Sequence, residues 1–140
     1  MKALVTGGAG FIGSNLVEAL VDDYEVTILD SLHTGSIDNL KSVQKDVKFI
    51  KGSCNNCLDL GLEQHEIIFH LGIPSSSPMY KKDPFLVGEA ITGMVAITEL
   101  ARRSEDKKVV FASSSYLYHG FPTPHSEDAV IPVKGYYTEA

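Results

Sequence analysis

The sequence predicts an α/β protein: a doubly wound parallel sheet with helices on both faces, three αβα layers in all. Three observations predict it. Short apolar segments rich in β-branched residues alternate with stretches carrying apolar residues at helical spacing. A glycine-rich turn follows the first apolar segment, and an acidic residue closes the second.

The strand candidates are residues 2–6, 25–29, 47–50, 67–71 and 108–112, each too short for a helix and bounded by polar or glycine-containing sequence. Phe11, Leu16 and Leu20, then Ile91, Val95 and Leu100, recur at helical spacing and mark crossover helices that would turn those side chains inward. After Ser113 the periodicity fades, and Gly120, Pro122, Pro124 and Pro132 punctuate a long loop at the carboxyl end of the fifth strand. Such loops commonly carry function.

Composition narrows the class. The 140 residues, 44% hydrophobic and 21% charged, fit one soluble globular domain, and no run approaches the roughly 18 to 20 apolar residues of a membrane span. Glycines at positions 7 and 8 interrupt any secretory leader, so a cytoplasmic location is expected. A net charge of −6 without a basic cluster offers nucleic acid no electrostatic footprint. Neither a membrane nor a nucleic acid is an expected partner.

Thr6-Gly7-Gly8-Ala9-Gly10-Phe11-Ile12-Gly13 carries the chemistry. Between a strand and a helix, Gly7, Gly10 and Gly13 give a tight turn, a close backbone approach to a pyrophosphate and helix N–H groups facing the anion. Asp30, at the end of the second strand, stands where an acidic side chain accepts hydrogen bonds from the adenine ribose and repels a 2′-phosphate. The pair points to a Rossmann-type dinucleotide site for NAD rather than NADP.

With those residues the chain resembles the extended short-chain dehydrogenase/reductase family, in its NAD-dependent branch of nucleotide-sugar epimerases and dehydratases. Asp30-Ser31-Leu32-His33-Thr34-Gly35 resembles the family's ribose loop, and His70-Leu71-Gly72 its fourth-strand His-Leu-Ala segment. Asp83-Pro84 followed by Thr92-Gly93 is similar to the helix before the fifth strand, and Ser113-Ser114-Ser115-Tyr116-Leu117-Tyr118 to the catalytic serine motif. Glu127 and Pro132 match the Glu and Pro preceding the catalytic tyrosine. There are departures. Ser53 stands where the family places an Asp that meets adenine, Ala90 where it commonly has an Asn, and His119 is an insert between Tyr118 and Gly120.

The resemblance implies NAD held by Gly7, Gly10, Phe11, Ile12, Gly13, Asp30, Ser31, Thr34 and Gly35, and by Ser53, Cys54, Leu71, Gly72 and Ile73. It implies Ser114 as the serine that bonds the reacting oxygen, with Ser113 and Ser115 as strand-end hydroxyls. Tyr137 is the preferred proton acceptor and Tyr136 its competitor; the lysine four residues later then falls just past residue 140, and Lys134 cannot replace it. The chain is thus expected to be an NAD-binding domain that ends inside the Tyr-x-x-x-Lys motif, with the C-terminal substrate portion absent. Three serines in place of an acid and base pair favour epimerisation over dehydration, with hydride removed and returned through a 4-keto UDP-hexose of the UDP-glucose/UDP-galactose kind. A reductase or decarboxylase, a catalytically silent dinucleotide-binding module, and a homodimer of the parent protein are the other implied possibilities.

Other features read as structural. Cys54-Asn55-Asn56-Cys57 lacks a second ligand pair at zinc spacing, so no metal is expected and the thiols are read as reduced. His33, His65, His119 and His125 are expected at the surface or in loops, His70 as a strand histidine with its hydrogen bonds satisfied, and Lys81-Lys82-Asp83 at a solvated helix start. Arg102 and Arg103 suit a helix C-terminus.

Overall fold

The computed structural model describes residues 1–103, 108–131, 135, 138 and 140. Five parallel strands, β1 (Lys2–Thr6), β2 (Glu25–Asp30), β3 (Val47–Lys51), β4 (Ile67–His70) and β5 (Lys108–Phe111), form one sheet in the order β3-β2-β1-β4-β5. The chain steps outward from β1 to β3, then crosses back to lay β4 against the other side of β1. That reversal opens a crevice at the carboxyl ends of β1 and β4, the switch point where such sheets bind ligands. The register brings Thr6 level with both Leu29 and His70, Asp30 level with Lys51, and His70 level with Phe111.

Two apolar clusters, one on each face, account for the three layers. Leu4, Leu29 and Ile68 meet Cys54, Cys57 and Leu62 together with Ala96, Ile97 and Leu100 of α3 (Leu86–Arg102). On the other face Val5, Val26 and Ile28 pack with Val17 of α1 (Phe11–Leu20), Ala9, Leu40 and Val43. The connection from β2 to β3 carries only a 3₁₀ turn at Ile37–Leu40, and β3 leads into another at Cys54–Asp59. A short α2 (Ser77–Lys82) precedes α3.

Several sequence expectations are corrected. In α1 the buried residues are Gly13, Ser14 and Val17, while Phe11 is 84% exposed at the crevice mouth. In α3 Leu86, Ala90, Gly93, Ala96, Ile97 and Leu100 face inward, and Ile91 and Val95 face out. The cause is the same in both helices. Small residues let the helix backbone approach closely, so Gly13 and Ser14 join Val17 on the inward stripe of α1, and Ala90, Gly93 and Ala96 join Leu86, Ile97 and Leu100 on that of α3. β5 is not a buried strand: Val109, Val110 and Phe111 are 37%, 47% and 45% exposed, because among the described residues nothing pairs with its outer edge. His65 is buried, with Nδ1 at 2.9 Å from the Leu62 carbonyl. Lys81 and Lys82 close α2 instead of starting a helix, and Asp83 Oδ1 accepts the Phe85 N–H. Within the loop after Ser113, residues Ser115–Tyr118 form a 3₁₀ turn.

No helix among the described residues is long and apolar enough to cross a membrane.

Candidate cofactor and active site

Gly7 opens the site. Its φ of +71° is a left-handed conformation that side chains disfavour, and a Cβ there would lie 2.8 Å from the Gly72 backbone. The Gly7 N–H donates to the Leu29 carbonyl at 2.9 Å, and its own carbonyl accepts from Gly10 at 3.1 Å, which closes the turn. A Cβ on Gly13 would stand 2.1 Å from the Gly7 carbonyl oxygen, so only glycine lets α1 start this close to the strand end. Gly10 caps α1 without a side chain, and no acidic residue occupies the first turn. The first-turn N–H groups therefore face the crevice with their partial positive charge uncompensated.

Asp30 holds the adjoining wall. It is 7% exposed; Oδ2 accepts the Ala9 N–H at 2.9 Å and Oδ1 accepts the Leu32 N–H at 2.7 Å. Leu32 reaches back in this way with a φ of 60°, an unusual conformation for a leucine. The Ala9 carbonyl in turn accepts from Ser36 at 3.0 Å and from the Asn39 side chain at 2.8 Å. Gly35 passes so close that a Cβ would meet Ala9 at 2.9 Å. The ribose loop is thus fastened to the glycine turn through one alanine. Each Asp30 oxygen keeps a further lone pair for a ligand hydroxyl.

Across the crevice, Thr6 Oγ1 accepts the N–H groups of Leu71 at 3.2 Å and Gly72 at 3.1 Å, which orients the segment after β4. Gly72 is pinned from the other side by Cys54, whose Sγ donates to its carbonyl at 3.5 Å. Cys54 and Cys57 are free buried thiols, and burial pushes both pKa values up, Cys57 to about 11. Raised values make both weak nucleophiles. Among the described residues no group of three His, Cys, Asp or Glu converges on a metal position.

These walls enclose one crevice of about 940 Å³. The structure brings to it Gly7, Gly10, Phe11, Ile12 and Gly13 from the first turn, and Asp30, Ser31, Thr34 and Gly35 from the ribose loop. Ser53 and Cys54 reach it after β3, and Leu71, Gly72 and Ile73 after β4. Ser113 and Ser114 line its far end with Phe111 and Leu117, whereas Ser115 faces a separate shallow depression. Ser114 Oγ accepts the Tyr116 N–H at 3.2 Å and so caps the 3₁₀ turn. Tyr136 and Tyr137, like Pro132 and Lys134, lie outside the described residues.

Sequence reasoning missed His33, Asn55, Leu86 and Glu89 as lining residues. His33 carried a signal, standing inside the ribose loop, and so did Glu89, one helical turn before Gly93 on the same face of α3. The cradle fits a dinucleotide: room that only glycines leave open, an uncapped helix start for the pyrophosphate, and a buried carboxylate suited to a free 2′-hydroxyl.

Fold and cleft together define a dinucleotide-binding α/β protein of the doubly wound class. Residues 3–139 match the model of the NAD dependent epimerase/dehydratase family, and the chain belongs to that family. It is 39% identical over 140 residues to a UDP-glucose 4-epimerase of Mycolicibacterium smegmatis, an alignment covering 95% of this chain and 45% of that protein. It is 36% identical over 132 residues to UDP-glucuronic acid decarboxylase 6 of Arabidopsis thaliana, covering 91% and 37%. Among solved structures, a UDP-N-acetylglucosamine 4-epimerase from Methanobrevibacter ruminantium M1, in complex with UDP-N-acetylmuramic acid, superposes with a TM-score of 0.89 at 31% identity over 98% of this chain and 46% of that one. The UDP-glucose 4-epimerase of Thermus thermophilus in complex with NAD gives 0.86 at 31% identity, over 99% and 46%. The chain therefore spans less than half the length of these relatives.

Proposed function

We propose that these residues are the cofactor-binding domain of an NAD-dependent nucleotide-sugar 4-epimerase acting on a UDP-hexose. The observation that carries this reading is the Ser113–Ser114 pair at the far end of the same crevice that the glycine turn and Asp30 open. Similarity to UDP-glucose 4-epimerases supports it.

Bound NAD supplies the hydride acceptor and donor. Gly7, Gly10 and Gly13 shape the pyrophosphate cradle, and Asp30 takes the adenine ribose hydroxyls. The Ser114 hydroxyl bonds the sugar oxygen whose carbon is oxidised, and the Tyr137 phenolate takes its proton. The family resemblance calls for a lysine one helical turn after that tyrosine, at a position past residue 140, whose positive charge would lower the phenol pKa from about 10. Epimerisation asks no more than this. Hydride leaves the carbon while the proton leaves its hydroxyl oxygen, the keto sugar turns over, and hydride returns to the opposite face of the carbon as the oxygen regains its proton.

A decarboxylase of the same family is the second reading, favoured by the similarity to UDP-glucuronic acid decarboxylases. One assay separates the two. The full-length protein is given NAD with UDP-glucose, UDP-galactose or UDP-glucuronate. Interconversion of the two hexoses is expected; release of carbon dioxide from the uronate without interconversion would replace the epimerase reading by the decarboxylase one.

A further inference from the structure

The crevice contains a side-chain amide for which neither the glycine turn nor the ribose loop has a use. Asn55 is half-buried in the 3₁₀ turn after β3 and lines the crevice beside Ser53 and Cys54. Its backbone N–H donates to Ser53 Oγ at 3.2 Å, while among the described residues its side-chain oxygen and nitrogen have no hydrogen-bond partner. The amide leans on α3, where its Oδ1 lies 3.0 Å from the position a Cβ on Gly93 would take. Gly93 thus leaves the space that lets Asn55 stand in the crevice.

Position gives the amide its ligand. A pyrophosphate at the start of α1 and a ribose on Asp30 carry the base outward, past the end of β2 toward the end of β3, because the strands run in the order β3-β2-β1. Of the neighbouring polar side chains there, Ser53 Oγ accepts the Asn55 N–H and Cys54 Sγ donates to the Gly72 carbonyl, whereas the Asn55 amide is engaged at neither end among the described residues. An asparagine amide offers one donor and one acceptor side by side, the complement of adenine's N1 acceptor and 6-amino donor.

The geometry points to Asn55 as the residue that reads the purine edge of the dinucleotide, and to a base site that accepts 6-oxo as well as 6-amino purines. The second part follows from the first. Rotating the amide by a half-turn exchanges donor and acceptor, which then match the O6 and N1–H of hypoxanthine. A carboxylate in its place would accept only, and would oppose the lone pair of adenine N1 or of hypoxanthine O6 alike. This inference rests on NAD binding in the crevice and not on which sugar is turned over.

Calorimetric titration of the full-length protein with NAD and with nicotinamide hypoxanthine dinucleotide tests it. The unaltered protein is expected to bind the two within about threefold of each other, since the hydrogen-bond count is equal. Asn55→Leu should weaken NAD by about five- to tenfold, the worth of one to two net hydrogen bonds. Asn55→Asp, which keeps the shape but loses the donor, should weaken both forms by about five- to tenfold. Thermal melts of the variants without ligand show whether the fold is kept. Unchanged NAD affinity in a folded Asn55→Leu protein would overturn the assignment of Asn55, and strong rejection of the hypoxanthine form by the unaltered protein would overturn the tolerance. Absence of NAD binding by the unaltered protein would overturn the cofactor reading itself, and this inference with it.

Discussion

Thr6 Oγ1 lies 2.8 Å from His70 Nδ1, so one hydroxyl ties the imidazole to the segment after β4, whose Leu71 and Gly72 N–H groups it also accepts. The other ring nitrogen, Nε2, is buried and has no hydrogen-bond partner among the described residues. Burial also lowers the pKa of His70 to about 4. A neutral histidine thereby holds the threonine that positions the segment after β4 at the cofactor crevice.

Stability should fall in acid for this reason. The unfolded chain binds a proton at His70 near pH 6.5, whereas the folded one resists it to about pH 4. The stabilisation is therefore whole above pH 6.5 and is lost as pH drops toward 4, by up to about 3 kcal/mol. Urea unfolding of the unaltered protein and of His70→Leu between pH 7 and 4.5 measures it. The variant should show the shallower dependence; equal slopes would refute the assignment.

Asp30→Ala should destabilise the protein by about 2 to 5 kcal/mol, because the buried N–H groups of Ala9 and Leu32 both lose their acceptor. The same change should abolish the preference for NAD over NADP in a calorimetric titration. A variant that unfolds like the parent would show that water replaces the carboxylate.

Gly13→Ala sets a Cβ against a carbonyl oxygen that belongs to the turn itself, where no flexible side chain can yield. Overpacking of this kind costs about 1 to 3 kcal/mol or more, and the expected result is loss of NAD binding even where the chain still folds. Titration at a temperature well below the unfolding midpoint separates the two effects.

Ser114→Ala, in the full-length protein, should lower kcat by about 10²-fold while changing the affinity for NAD little, since the hydroxyl is assigned to the sugar oxygen. Loss of the cap on the 3₁₀ turn should cost about 1 kcal/mol. Ser114→Thr, which keeps a hydroxyl, should restore the cap and part of the rate.

Cys54 and Cys57 should react slowly with an uncharged alkylating reagent in the native state and quickly after unfolding, because burial raises both pKa values. Rapid native labelling at neutral pH would point to an opening of the turn that holds them.

The local rules were legible along the chain. All five strands, the glycine turn and Asp30 follow from period, residue type and spacing, because each depends on neighbours close in sequence or on a turn only glycine can make. The burial of small residues was not legible. Ala90 and Gly93 look unremarkable beside Ile91 and Val95, yet they face inward because α3 must approach the turn at Cys54–Asp59. His65 likewise shows nothing in sequence that would predict a buried ring.

The sequence by itself determined the class of fold and the kind of ligand, since a strand, three spaced glycines and an acid at the next strand's end leave few other uses for the backbone. Tertiary structure alone decided how those parts are fastened and which side chains remain to do chemistry. Asp30 is held by Ala9 and Leu32, Thr6 is shared by β1 and β4, and Asn55 is left with an amide open to a ligand. These are relations between residues distant in sequence. They exist only after the sheet has ordered its strands and brought their carboxyl ends to one crevice.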